Sequence, residues 1–255
     1  MTGAPLVTIV TPAFNCAAYI KDTYASILAQ TEPSWEWLVV DDASQDDTSQ
    51  ILGQIAAADQ RVVVETLTKN VGAGLARNRA IKNARGRFIA FLDSDDYWRP
   101  EKIANQTQMM LRIGAGLSYG AYDIIDKDGQ PCGHVGVPSS VTYHDLLKRN
   151  VIGCLTAMYD TKIYGKVEMP AARKRQDYGL WLLLLRAGTT AHAVPGTLAT
   201  YRRLPNSLSA NKAKAAMGTW RVYRNMENLS LIQSCYYFSR YAMWTVWKRI
   251  SQHRG

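Results

Sequence analysis

The sequence is poor in cysteine, and its cysteines form no pattern. Cys16, Cys132, Cys154 and Cys235 are widely scattered and none belongs to a C-x-x-C pair. That spacing argues against the common zinc and thiol-redox motifs and fits free thiols in a reducing compartment. No stretch reaches the roughly 18 uncharged apolar residues that a membrane-spanning helix needs. The N-terminus has no basic segment followed by an apolar one, so no secretory leader is expected. No internal repeat and no low-complexity linker appears. Acid is nearly missing from the tail: residues 211–255 hold 8 Lys and Arg against the single acidic residue Glu227. Residues 1–210 hold 22 basic and 20 acidic residues, so most of the net charge of +9 sits on the tail. No zinc-finger, RNA-binding or helix-turn-helix signature accompanies that charge, so no nucleic-acid partner is expected.

What is present reads as an α/β protein. A chain of 255 residues with 47% apolar side chains suits one large domain with an appendage. "LVTIVT" (6–11), "WEWLVVDD" (35–42), "RVVVETL" (61–67) and "RFIAFL" (87–92) are short apolar runs of strand type. Helical segments follow each of them: 16–30 with Asn15 as its cap, 44–58 with Ser44 as N-cap, 72–84, and 100–111 opening on Pro100. Continuous apolar strands alternating with helices indicate a doubly wound, mostly parallel sheet covered on both faces. Further on, residues 116–135 read as strands with a "DKDG" turn, 177–188 as a helix, 191–203 as strand, turn and strand, and the chain from 210 as helical.

The acidic residues fall at strand ends. Asp41 and Asp42 close the second strand; Asp93, Asp95 and Asp96 follow the fourth. In a doubly wound sheet both places lie at the carboxyl edge, where ligands bind. The cluster at 93–96 admits two readings. One is a solvated turn in which Asp96 caps the next helix. The other is a divalent-metal site, with hard carboxylate oxygens suited to Mg²⁺ or Mn²⁺ and the rest of the shell left to substrate phosphates and water. "GAGLAR" (72–77) resembles part of a dinucleotide fingerprint, but it follows the third strand and places Arg77 where a small residue belongs. An oxidoreductase is therefore disfavoured.

Taken in order, "VTIVTPAFN", "WLVVDDASQDDT", "NVGAGLARNRA", "GRFIAFLDSDDYW" and "RKRQDYGLWL" resemble the family-2 glycosyltransferases over residues 5–205. The segment 153–181 is most similar to the branch that builds teichuronic acid and bacterial O-antigen or capsule units. The resemblance implies a GT-A fold, a UDP-sugar donor of hexose type, a divalent metal and inversion at the anomeric carbon. It also implies a saccharide acceptor on a lipid carrier, at the inner face of the bacterial cytoplasmic membrane. Pro12 and Ala13 match a loop near the nucleotide, and Asp42, with Asp41 beside it, matches the residue that meets the uracil edge. Asn70 and Arg77 match positions near the base and phosphates. Asp93, with Ser94 next to it, matches the ribose side, Asp95 the metal ligand and Asp177 the catalytic base. Arg175, Arg202, Arg203 and Trp181 are candidates for phosphate or acceptor contact, as is the basic stretch Arg173–Arg175.

Two positions depart from the pattern. Gln176 stands where many relatives have Glu, and Leu204 where many have a histidine, so Arg202 or Arg203 is expected to supply that positive charge. The expected division is a GT-A domain over 1–209, with a nucleotide-sugar half at 1–112 and an acceptor half at 113–209, followed by a helical extension at 210–255. In that extension Tyr236, Tyr237, Phe238, Tyr241, Trp244 and Trp247, fringed by Arg240, Lys248, Arg249 and Arg254, suit an interfacial helix on an anionic membrane. The alternative is that this helix packs on the domain or on a second copy in a homodimer. A non-catalytic sugar-nucleotide-binding module and a nucleotidyltransferase are the competing functions.

Overall fold

A computed structural model describes residues 3–171, 175–204 and 212–252. Arg173 and Lys174, and the side chains of Trp247, Lys248, Arg249 and Arg254, lie outside the described part. The first half alternates strand and helix. It runs β1 (Val7–Ala13), α1 (Ile20–Leu28), β2 (Trp35–Asp41), α2 (Thr48–Ala58), β3 (Val62–Thr66), α3 (Ala73–Asn83) and β4 (Phe88–Phe91). A two-residue β5 (Tyr97–Trp98) and α4 (Lys102–Ile113) follow. Then come β6 (Leu117–Ile125), β7 (Pro131–Val135), β8 (Ser140–Thr142), α5 (Tyr143–Lys148), β9 (Met158–Asp160) and α6 (Thr161–Tyr164). The chain ends with α7 (Gln176–Leu185), β10 (Thr190–Arg202), α8 (Lys212–Arg221), a π-helical turn at Val222–Met226 and α9 (Leu231–Gln252).

Among the described residues, all ten strands join one sheet. Its main order is β3-β2-β1-β4-β9-β6-β10-β5, with β7 on β6 and β8 on β10. β3, β2, β1 and β4 are parallel, and so are β6 and β10, whereas β9 enters between β4 and β6 antiparallel to both. Every residue of β1, β2 and β4 is buried, which is why these strands read as unbroken apolar runs. Two cores result. Ile9, Trp37 and Phe88 belong to one; Val10, Phe91 and Trp181 belong to the other.

Several local expectations give way to non-local bonding. Asn15 has φ 49° and caps nothing; its side chain accepts the Gln45 N–H, 2.8 Å away. Ser44 does not cap α2, because its hydroxyl donates to Asp41 at 2.5 Å and the helix opens only at Thr48. Pro100 precedes α4 by two residues. Residues 190–202 form one strand with register shifts between Val194 and Ala199, accommodated by Gly196 at φ 86°, and not a strand–turn–strand.

The extension also differs from the interfacial helix expected for it. In α9, Tyr237 bonds His144 at 2.9 Å, Phe238 meets Trp220 edge-on, Tyr241 bonds Arg175, and Trp244 lies under Arg149. Four of the aromatic residues expected at a membrane thus pack within the protein. Leu231, Ile232, Tyr236 and Met243 are exposed. Among the described residues no helix is long and apolar enough to cross a membrane.

Lys102, the first residue of α4, is fully buried. Its ammonium lies 3.7 Å from the Trp98 ring centre and has no hydrogen-bond partner among the described residues. Burial holds its pKa well below the usual lysine range. Between that lowered value and the ordinary one the unfolded chain binds one more proton, so stability rises with pH across the window. Lys102→Met should stabilise the fold at neutral pH by about 1–3 kcal/mol, and the gain should shrink as pH approaches that of a free lysine. Urea melts of both proteins at neutral and alkaline pH measure this; a destabilised variant would show that the amine contributes to the fold.

Candidate active site

β1 is parallel to both β2 and β4, so the ends of those strands emerge side by side. Pro12 and Ala13 are the last residues of β1, buried and paired with Val40 and Asp41; they belong to the strand and not to a loop. Asp41 is fully buried and organises the turn that follows, accepting the Ser44 N–H and hydroxyl on one oxygen. Asp42 is buried as well. Its two oxygens accept the N–H groups of Val71 and Gly72 at 2.7 and 2.8 Å, and its carbonyl takes the Asn70 amide at 3.2 Å. The carboxylate expected to stand open to a base therefore holds the loop before α3, while Asn70 itself is exposed.

Helix α3 sets the centre of the site. Arg77 is buried and its guanidinium pairs with Asp93 just beyond β4. Burial alone would lower its pKa, but the charge of Asp93 and its hydrogen bond, with the charge of Asp177 added, outweigh that and raise it. The next residue, Asn78, clasps Met169 through two bonds, donating to its carbonyl at 2.8 Å and accepting its N–H at 2.7 Å. Gly74 completes the face: a Cβ there would lie 3.0 Å from Gln176 Cγ, at the start of α7. A glycine on α3 thus lets the first turn of α7, with half-buried Asp177, approach Arg77.

The three carboxylates after β4 have separated fates. Asp93 is the partner of Arg77. The Asp95 carboxylate takes no hydrogen bond from any other described residue, and burial together with the Asp93 charge pushes its pKa up to about 6. Asp96 is buried, accepts the Arg202 N–H at 2.9 Å and leaves its other oxygen without a partner among the described residues. It is neither solvated nor a helix cap, and burial with the Asp95 and Asp93 charges raises its pKa well above the usual range. Ser94 and Asp96 carbonyls both accept the Thr23 hydroxyl, at 3.0 and 2.9 Å, which fixes the loop to α1. Arg202 donates to the Asp95 carbonyl at 3.2 Å and pairs with exposed Asp22 at 3.2 Å. Arg203 is exposed, and its N–H closes on Ile125.

Asp95 is therefore a hard oxygen donor that no other described residue engages by a hydrogen bond to its side chain, close to the Arg202 cation. Among the described residues no group of three or more His, Cys, Asp or Glu converges. The donor set fits Mg²⁺ or Mn²⁺ held by a carboxylate and by substrate phosphates, not a protein cage. Trp181 requires a correction: it is fully buried, edge-on to Phe91, and cannot meet an acceptor. Arg175, with φ 64°, precedes α7 and reaches Tyr241 at 3.5 Å. Sequence reasoning missed Tyr122 and Cys154, which feel the charge of Asp177. Burial pushes the Tyr122 hydroxyl up to about 12 and holds the Cys154 thiol well above its usual range, so both stay protonated. Neither sits in a motif that would have marked it.

Residues 8–163 match the family model described as Glycosyl transferase family 2. The chain is 44% identical over 247 residues to a Bacillus subtilis glycosyltransferase named for teichuronic acid biosynthesis, TuaG, covering 96% of this chain and 98% of that one. It is 38% identical over 218 residues to WfgD of Escherichia coli, covering 85% of each; WfgD is named as a UDP-Glc:α-D-GlcNAc-diphosphoundecaprenol β-1,3-glucosyltransferase. Among solved structures, S. aureus TarS 1–349 with UDP-GlcNAc superposes with a TM-score of 0.68 at 20% identity, over 92% of this chain and 71% of that one. The mannosyltransferase PcManGT of Pyrobaculum calidifontis, in complex with GDP-Man and Mn²⁺, gives 0.68 at 17% identity, over 90% and 66%.

Asp42→Ala should release the 71–72 loop and leave two backbone N–H groups without their acceptor. The expected loss is about 1–3 kcal/mol of stability, with UDP affinity lowered as well. Chemical melts and UDP calorimetry check this; unchanged values in both would detach Asp42 from the site.

Proposed function

Because the chain belongs to glycosyl transferase family 2 and has its GT-A fold, we propose that it moves a hexose-type sugar from UDP to a hydroxyl of a lipid-linked saccharide, with inversion, in bacterial surface-polysaccharide synthesis. The reaction is placed at the inner face of the cytoplasmic membrane. The observation that carries the reading is a single charged constellation: Arg77 pairs with Asp93 and also feels Asp177, while Asp95 stands open one residue beyond Ser94. Residues 1–112 supply the nucleotide side in this reading, and 113–209 the acceptor side.

Each residue then has a task. The Asn70–Gly72 loop, held by Asp42, borders the uracil, and Asp93 faces the ribose. Asp95 would hold the divalent ion, with Arg202 nearby to meet pyrophosphate charge in place of the histidine replaced by Leu204. When bound, the ion supplies Lewis-acid stabilisation of the leaving diphosphate. Asp177 accepts the proton of the attacking hydroxyl, and Arg77 keeps positive charge between the two acidic sides. Named relatives support the substrate class: WfgD acts, by its name, on a sugar-diphosphoundecaprenol.

Two outcomes test the reading. Asp177→Asn should lower kcat by about 10²-fold or more with KM for the donor nearly unchanged, as for a lost proton acceptor; a rise in KM alone would make Asp177 a positioning group. The Asp95 carboxylate must be ionised to take a cation, and its pKa stands near 6. Mn²⁺ affinity measured with UDP present should therefore fall about tenfold per pH unit below that value, as expected for one displaced proton. Calorimetric titrations from pH 5 to 8 measure it, and a flat profile would remove Asp95 from the metal.

A further inference from the structure

A second charged site lies away from the strand ends, between α5 and α9. A cavity of about 360 Å³ is lined by Lys148, Arg149, Arg240, Met243 and Trp244. Three cations converge there, and the carboxylate beside them is Asp145, 3.2 Å from the Lys148 ammonium. The Arg149 guanidinium rests 3.8 Å from the Trp244 ring centre, and its Nε is buried without a hydrogen-bond partner among the described residues. A buried guanidinium nitrogen left unpaired costs free energy unless an acceptor arrives. Planar donors beside an ammonium suit the oxygens of a phosphate.

Two further features say which phosphate. Tyr236, Arg240 and Met243 are spaced by four and three, so they share one face of α9, and Tyr236 and Met243 are 54% and 64% exposed. Apolar surface therefore flanks the cationic pocket, as a hydrocarbon chain attached to the phosphate requires. In the other direction, Tyr241 lies one helical turn before Trp244 and bonds Arg175, two residues from Asp177. The pocket thus connects to the acceptor side of the site, not to the UDP side.

We propose that Lys148, Arg149 and Arg240 bind the diphosphate of the lipid-linked acceptor, with its lipid running along the Tyr236–Met243 face. The proposal rests on the acceptor class assigned above, and it extends that assignment to named residues.

The test uses the full chain saturated with UDP and Mn²⁺, so that the donor site is filled. Farnesyl diphosphate is the probe, and calorimetry reads its binding. Vesicles of phosphatidylglycerol, and of phosphatidylcholine alone, form a parallel arm. UDP release from UDP-glucose and UDP-GlcNAc is measured separately. The K148E/R240E double variant should bind the probe at least about tenfold more weakly, as expected for lost charged hydrogen bonds. R240K should stay close to wild type, and UDP release should be unchanged in both. Equal probe binding by wild type and double variant would overturn the proposal. So would a wild type that binds phosphatidylglycerol vesicles and ignores farnesyl diphosphate, which would make the pocket a membrane headgroup site. Probe binding lost in the double variant, with no UDP released by any form, would support the pocket while sinking the glycosyltransfer reading.

Discussion

The site depends on a guanidinium that has been taken out of water. Arg77 is buried, and an ion removed from solvent carries a penalty of several kcal/mol unless it is compensated. Asp93 supplies most of the compensation, and Asp177 adds to it. The pairing fixes α3 against the end of β4. On the same helix face, Gly74 and Asn78 bring in Gln176 and Met169. Positions 74, 77 and 78 are spaced by three and four, so one helical face draws the β4 loop and the start of α7 to one point.

That constraint explains why three aspartates can crowd into four positions. Like charges so close cannot all be equivalent. Asp93 is neutralised by Arg77, Asp96 is buried with its pKa raised well above the usual range, and Asp95 stands between with a pKa near 6. The loop is held to α1 by Thr23 and to β10 by Arg202. Its rigidity belongs to residues distant in the chain, and the open carboxylate is what remains once the other two are engaged.

The strands of the parallel half were legible because both faces of β1, β2 and β4 are covered, which leaves an unmistakable apolar run. The strand-end aspartates, Arg77 and Asp177 stood out through ordered motifs, and the structure brings Asp93 and Asp177 within the charge field of Arg77. Other features were hidden because partners elsewhere in the chain decide them. β5 has two residues and exists through β10. β9 has three and exists through β4 and β6. Ser44 has the chemistry of a helix cap, yet Asp41 claims its hydroxyl. Trp181 has the chemistry of a sugar platform, yet α7 turns it into the core against Phe91. Aromatic content alone could not divide α9 into a packed face, with Tyr237, Phe238, Tyr241 and Trp244, and an exposed one.

In the proposed reaction the sugar passes once, from a diphosphate near Asp95 and Arg202 to a hydroxyl activated by Asp177. In the proposed reading this is a single displacement, with no glycosyl-enzyme. The most direct measurement is the anomeric configuration of the product, read from the proton coupling of the new glycosidic centre by NMR, starting from an α-linked UDP-sugar. A wild-type enzyme working by single displacement yields a β-linked product; an α-linked product rules that displacement out.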